Sequence, residues 1–397
     1  MRVRGQLKIL IYSQDGYGLG HLRRNVNIIH QLKKIYPSAT VLIIVDSPVA
    51  PFFELPPQCD FIKIPTMVKV DYGVWQSNCL EMDCASLLSV RSELIQEIVL
   101  NYRPHIFLVD HMPQGALGEL VDPIRMLKKY CPDTRLVLGL RDILGAPDAI
   151  RQVWTNEQAF EIAESNYDKI LIYGTADVYD SLSEYAFPQA LQAKSVYCGY
   201  VTRAEIPSSF MNEGMRCLLP DGRKPFVLVT GGGGKDAGAM MAAFVQAVAQ
   251  FEGELPFDGM ISTGPFLPED QLRELQAQAR KLGLKIADLG EDAIHFIARA
   301  DLVVSMAGYN TISELLFLRK NALIVPRRGP SAEQTMRTQI LARRGLFDWV
   351  HPDELSGEVM RQKISERLNH RTVPDDRDYP SLDGAIVAAR EMLGLLD

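Results

Sequence analysis

Three stretches, each placed after a short apolar run, hold the residue types best suited to chemistry. The first is Asp15-Gly16-Tyr17-Gly18-Leu19-Gly20-His21. Glycines let a backbone turn tightly and approach a ligand, and the helix start that follows offers N–H groups to an anion. His21 ends the loop. An imidazole at the carboxyl edge of an α/β sheet suits a general base, though it can equally cap or pack at a helix start. The second stretch is Thr230-Gly231-Gly232-Gly233-Gly234-Lys235-Asp236, where successive glycines can present N–H groups to a diphosphate with help from the helix dipole. It is not a Walker A loop, because Val229 and Asp236 stand where that motif needs Gly and Ser or Thr. The third runs from Ser305 to Leu316 and contains Gly308, Asn310, Thr311 and Glu314. Thr311-x-x-Glu314 has capping-box spacing, so Glu314 has a structural role open to it beside a binding one. The same two readings apply to Ser331-Ala332-Glu333-Gln334, which follows Pro326-Arg327-Arg328-Gly329-Pro330.

Such loops need sheets to hold them. Continuous apolar runs at Lys8–Tyr12, Val41–Val45, Phe61–Ile64, Ile106–Val109, Leu136–Leu140 and Ile170–Tyr173 predict strands covered on both faces. Leu22, Val26, Ile29 and Leu32 make one helical stripe between the first two runs, which gives a βαβ order. After Ser195–Gly199 the pattern restarts. Pro207-Ser208-Ser209 and Pro220-Asp221-Gly222-Arg223 are linker and turn chemistry. Further strands are expected at Phe226–Thr230, Gly259–Ser262, Lys285–Ala287, Leu302–Ser305 and Ala322–Val325, with a helix burying Met240, Met241, Phe244, Val245 and Val248. The expectation is an α/β chain of two Rossmann-like domains facing across a cleft, residues 1–205 and 206–380. A last helix in 381–397 packs back on the first domain.

Size and composition agree with this. A chain of 397 residues exceeds one ordinary core. With 47% hydrophobic and 23% charged residues, the disordered and fibrous classes drop out. A net charge of −7 argues against non-specific binding to nucleic acid, so no such partner is expected. Six cysteines form no CxxC pair and no zinc spacing, which favours reduced thiols in a cytoplasmic protein. The apolar run near the N-terminus is shorter than a signal-peptide core, and no run approaches the roughly 20 residues of a membrane span. A peripheral contact with a membrane surface stays open.

Together the three stretches resemble the glycosyltransferase family that includes the N-acetylglucosaminyltransferase completing lipid II in peptidoglycan synthesis, the family 28 type of GT-B enzyme. The likeness is strongest from Phe226 to Gly345, and in the first half it rests mainly on the glycine loop. The family's glycine loop ending in histidine reads Gly16-Tyr17-Gly18-Leu19-Gly20-His21 here. Its Gly-Asn-Pro-Val-Arg hinge is echoed by Gly199-Tyr200-Val201-Thr202-Arg203, and its Gly-Gly-Ser-x-Gly loop by Gly231–Gly234. Its Ser-Gly-Ala-x-Thr-x-Ser-Glu segment is similar to Ala307–Glu314, and Ala332-Glu333-Gln334-Thr335 replaces its Asp-x-Gln-Gln. Tyr309, Asn310, Thr335 and the two arginines of Pro326–Ser331 depart from the family. No Asn-x-x-Ala-Gly acceptor loop is evident; Leu140-Arg141-Asp142-Ile143 occupies a comparable strand end.

The resemblance implies an inverting glycosyltransferase that takes a sugar from a nucleotide diphosphate, a UDP-sugar by preference, to an acceptor it does not name. That acceptor is a lipid, a polysaccharide precursor or a small molecule. Glu314 takes ribose hydroxyls, Leu289-Gly290 reads the base edge, and Gly231–Gly234 with Arg203 stabilise the leaving diphosphate. Gly308, Asn310 and Thr311 complete the donor loop, and Glu333 and Gln334 hold the sugar. Gly18, Gly20 and Arg141 lie on the acceptor side, where His21 takes the acceptor's proton as the domains close. With no Asp-x-Asp pair at a strand end, neither a metal nor a cofactor is expected. Asp15, Asp110 and His111 leave room for a nucleotide-sugar hydrolase or epimerase, and a binding protein without catalysis is a further alternative. Asp46, at the end of the second run, keeps a dehydrogenase reading open, although the loop spacing is GxGxG and nothing in that reading uses Gly231–Gly234.

Overall fold

A computed structural model describes residues 6–16, 20–71, 74–203, 205–206, 211, 213–329, 331–370 and 374–397. Gly18, with Tyr17 and Leu19, lies outside the described residues, as do Pro207-Ser208-Ser209 and Pro330. Contacts divide the chain into two compact units, Met1–Thr202 with Pro380–Asp397, and Arg203–Tyr379.

The first unit opens with β1 (Lys8–Ser13), α1 (Gly20–Ile35), β2 (Thr40–Val45) and β3 (Cys59–Lys63). A hairpin of β4 (Met67–Asp71) and β5 (Val74–Ser77) follows, then α2 (Cys84–Tyr102), β6 (Ile106–Asp110), α3 (Val121–Tyr130) and β7 (Arg135–Arg141). After α4 (Pro147–Asn156) and α5 (Ala159–Asn166) come β8 (Lys169–Tyr173), α6 (Ser181–Glu184), α7 (Gln189–Gln192) and β9 (Ser195–Tyr197). Among the described residues, one parallel sheet runs β3-β2-β1-β6-β7-β8-β9. Every residue of β6 is buried, which is why its first four residues are apolar without alternation. The order reverses between β1 and β6. In open α/β sheets, ligands bind outside the carboxyl ends of the strands at such a switch point.

The second unit repeats the plan. It contains α8 (Glu213–Arg216), β10 (Phe226–Thr230), α9 (Gly238–Ala249), β11 (Asp258–Ser262), α10 (Glu269–Lys281) and β12 (Lys285–Ala287). There follow α11 (Ala293–Arg299), β13 (Leu302–Ser305), α12 (Tyr309–Phe317), β14 (Ala322–Ile324), α13 (Glu333–Arg343), β15 (Asp348–Trp349) and α14 (Gly357–Asn369). The parallel order among the described residues is β12-β11-β10-β13-β14-β15, so its switch point lies between β10 and β13. The core is built from the sheet and from the stripe Met240, Met241, Phe244, Val245 and Val248 of α9. The last helix, α15 (Gly384–Gly394), belongs to the first unit and lies against α1. Its buried face is small over its first turns (Gly384, Ala385, Ala388, Ala389) and ends on Met392, and a Cβ on Gly384 would stand 2.3 Å from the Gly199 carbonyl oxygen.

The β4–β5 hairpin and β15 were not among the expected strands. Both are short, and β15 has only two residues, too few for a periodicity to register.

Candidate functional site

In the first unit, the loop after β1 is held by buried acids. Asp46 Oδ1 accepts from the backbone N–H groups of Asp15 (2.7 Å) and Gly16 (3.0 Å). Its other oxygen faces Arg91 at 3.3 Å. This carboxylate is spent on the loop, which removes the ribose-binding role that a dehydrogenase would need. Asp15 in turn accepts from the N–H groups of His21 (2.8 Å) and Leu22 (2.6 Å), so both of its oxygens cap the start of α1. Burial raises the Asp15 carboxyl above its ordinary value, against the pull of His21 and these two amides.

His21 does not serve as the cap. Its Nδ1 lies 3.3 Å from Asp110 Oδ2 and 2.9 Å from Arg24 Nη2, and its side chain is 14% exposed. Asp110, the last residue of β6, is wholly buried and takes Arg24 Nη2 at 2.7 Å on each oxygen and Asn25 Nδ2 at 3.1 Å. Burial works against its charge, but Arg24 and His21 hold its carboxyl far below the usual range. Two placements of one proton fit this geometry. Nδ1 accepting from Arg24 puts the proton on Nε2, whereas Nδ1–H directed to Asp110 leaves Nε2 as a base. The two residues flank the β1/β6 switch point, because register sets Ser13 beside Asp110. His111 packs its ring 5.3 Å from that of His21, and burial and Arg141 keep it neutral. Its φ of 96° is a backbone region that non-glycine residues seldom occupy. Arg141 ends β7, and Gly20 opens α1.

In the second unit, four of five successive carboxyl edges carry the remaining predicted residues, Arg203 apart. Leu289 and Gly290 follow β12, Gly231–Gly234 follow β10, Gly308–Glu314 follow β13, and Glu333 and Gln334 lie beyond β14. The fifth edge, that of β11, was not foreseen. Its Thr263-Gly264 turn interlocks with the glycine loop: Phe266 N–H donates to the Gly233 carbonyl at 2.9 Å, and a Cβ on Gly234 would stand 2.2 Å from Thr263 O. Gly231 N–H is committed to Ser262 O (3.3 Å) and Gly234 N–H to Gly231 O (3.1 Å). A Cβ on Gly232 would meet Thr311 Oγ1 at 3.3 Å, so the glycine loop and the start of α12 adjoin.

Gly264 has φ +76°, and a Cβ there would stand 2.3 Å from Gly232 O. Gly264→Ala is therefore expected to destabilise the second unit by about 1–3 kcal/mol and to weaken ligand binding at the loop. Thermal unfolding and nucleotide titration of the variant check both effects. The sequence shows a glycine two residues past β11, but not the Gly232 carbonyl that excludes a side chain there.

Neither capping box forms. Gly308 is the N-cap of α12 and no side chain caps the helix, so Thr311 and Glu314 lie inside it, with Glu314 beyond the first turn. Ala332 is the N-cap of α13, which shifts Ser331 outside the helix. Gln334 Oε1 instead accepts from Arg327 N–H at 3.1 Å. Glu314 is buried to 7% side-chain exposure and pairs with Arg203 Nε at 3.7 Å. In the hinge motif, Tyr200 is buried in the first unit, with its hydroxyl 3.1 Å from Asp142 Oδ2. Arg203 opens the second unit. Among the described residues no three His, Cys, Asp or Glu side chains group as metal ligands. No helix among them is long and apolar enough to cross a membrane.

Two α/β units with parallel sheets, each bearing a glycine-rich loop at its switch point, define the GT-B class. The chain aligns over 99% of its length with the glycotransferase of kitacinnamycin, covering 100% of that chain at a TM-score of 0.63 and 13% identity. Residues 226–379 match the glycosyltransferase family 28 C-terminal domain, and the chain is a glycosyltransferase of GT-B fold. It is similar to the UDP-N-acetylglucosamine–N-acetylmuramyl-(pentapeptide) pyrophosphoryl-undecaprenol N-acetylglucosamine transferases. That of Alkaliphilus oremlandii is 23% identical over 368 residues, 91% of this chain and 90% of the relative. That of Geobacillus kaustophilus is 28% identical over 262 residues, 64% of this chain and 69% of the relative.

Proposed function

We propose that the chain is an inverting, metal-independent transferase whose second unit binds a UDP-sugar donor and whose first unit serves a lipid-linked acceptor. The observation that carries this is the convergence, on one carboxyl edge of the second unit, of the glycine loop, the uncapped start of α12 and the buried Glu314. The Gly233 amide would meet the diphosphate, joined by that of Gly232 if it exchanges its 3.4 Å bond to Thr230 Oγ1 for the ligand, with Arg203 beside Glu314 to balance its charge. Backbone dipoles and a guanidinium would then stabilise the leaving group without a metal. Gln334 would hold the sugar and Leu289-Gly290 the base edge. In the first unit, Nε2 of His21 would take the acceptor's proton while Asp110 orients the ring through Nδ1 and Arg24 holds Asp110 in turn. A single displacement inverts the anomeric centre. The acceptor class is supported by the lipid-linked substrate in the relatives' names.

Isothermal titration with UDP, GDP, TDP and NAD tests the donor. Binding of UDP is the expected result, and NAD binding alone would overturn the reading. Glu314→Gln is expected to weaken UDP by about 1–3 kcal/mol, since a buried carboxylate accepting ribose hydroxyls is lost. An unchanged affinity with a lower melting temperature would return Glu314 to a structural partnership with Arg203.

A further inference from the structure

The segment between β14 and α13 carries two adjacent arginines that no role above employs, and they differ in setting. Arg328 is a surface residue, with a side chain 74% exposed and paired with Asp353 at 2.7 Å. Arg327 is 28% exposed and reaches inward. Its Nη1 lies 3.6 Å from Asp236 Oδ2 and its Nη2 lies 3.9 Å from Glu333 Oε1. Both separations exceed hydrogen-bond length. Its Nε is buried and has no hydrogen-bond partner. The backbone beneath is fixed by the Arg327 N–H to Gln334 Oε1 bond.

We propose that Arg327 is a donor-binding residue whose guanidinium takes the terminal, sugar-bearing phosphate of the nucleoside diphosphate. This rests on the donor reading given above. Asp236 stands two residues beyond Gly234, so the guanidinium lies within ion-pair reach of the exit of the glycine turn. Position along the sheet selects the phosphate. With the base edge at β12 and the glycine loop at β10, a donor laid along this edge brings its outer phosphate toward the segment after β14 that carries Arg327. Chemistry agrees. A guanidinium held loosely by two carboxylates can exchange them for a phosphate that accepts two N–H groups in parallel. Asp236 is 47% exposed at its side chain and can turn to water when the phosphate arrives.

The experiment is titration of the full chain with UMP, UDP and UDP-N-acetylglucosamine. Arg327→Ala is expected to weaken UDP about ten- to a hundredfold and to leave UMP unchanged, because UMP lacks the outer phosphate. Arg327→Lys should recover part of the loss as a point charge, and Arg328→Ala should bind all three as the parent does. Equal losses for UMP and UDP would overturn the assignment. So would a loss confined to the nucleotide sugar, or unchanged UDP binding by a folded Arg327→Ala variant. A parent protein that binds none of the three ligands overturns the donor reading itself, and that is visible before any variant is compared.

Discussion

Replacing His21 by alanine is expected to lower turnover by about 10²–10⁴-fold while leaving the UDP dissociation constant nearly unchanged. The base belongs to the first unit, whereas every residue proposed to hold UDP belongs to the second. Asp110→Asn should reproduce much of this loss. A neutral amide anchors Nδ1–H less strongly than the carboxylate and can turn its NH2 toward Nδ1, and Arg24 beside it then favours the proton on Nε2. Steady-state rates at saturating donor, paired with UDP titration, separate the outcomes. Parental turnover in His21→Ala would leave this residue as packing against His111.

Arg91→Met is expected to cost the first unit about 3–5 kcal/mol, the largest effect on stability foreseen for a single change. Arg91 is wholly buried. Its Nε and Nη2 each lie 2.6 Å from an oxygen of Glu119, and Nη1 faces Asp46 and the Pro65 carbonyl. Tyr12 donates to the same Glu119 at 2.5 Å. Methionine fills the space but leaves two buried carboxylates uncompensated. Thermal unfolding should show one transition lowered, and UDP should raise the other, since a ligand stabilises the unit that binds it. Adding Glu119→Met should recover part of the loss. An unmoved transition in Arg91→Met would mean that the acids are held without the arginine.

The parallel sheets were legible because their central strands are buried on both faces and so read as unbroken apolar runs, of which Phe226–Thr230 is an example, whereas the edge strands β3 and β12 are partly exposed. The glycine loops were legible because a strand, a turn and a helix announce themselves together. What spacing could not resolve was the difference between a cap and a ligand-facing side chain. Thr311-x-x-Glu314 has the spacing of a capping box, yet the helix starts at Tyr309 and both residues lie inside it. Long-range partners were also hidden. Asp110 pairs with Arg24 across 86 positions, and Arg91 reaches Glu119 across 28. Only a fold brings such charges together, and composition does not distinguish a buried acid from a solvated one. Gly264 escaped notice because its value lies in the carbonyl of another loop.

The place of α15 bears on how the protein is made. α1 leaves the ribosome long before the helix that covers it, which lies near residue 390. Residues 203–379 are synthesised in between and hold a complete sheet and core of their own. Domains generally fold as units during synthesis, at about 5–20 residues per second. The second unit can thus close while the first still waits for its last helix, so the order of completion runs against the order of the chain. A nascent chain stalled before residue 380 should already resist protease over its second half, while α1 stays open to cleavage or to a chaperone.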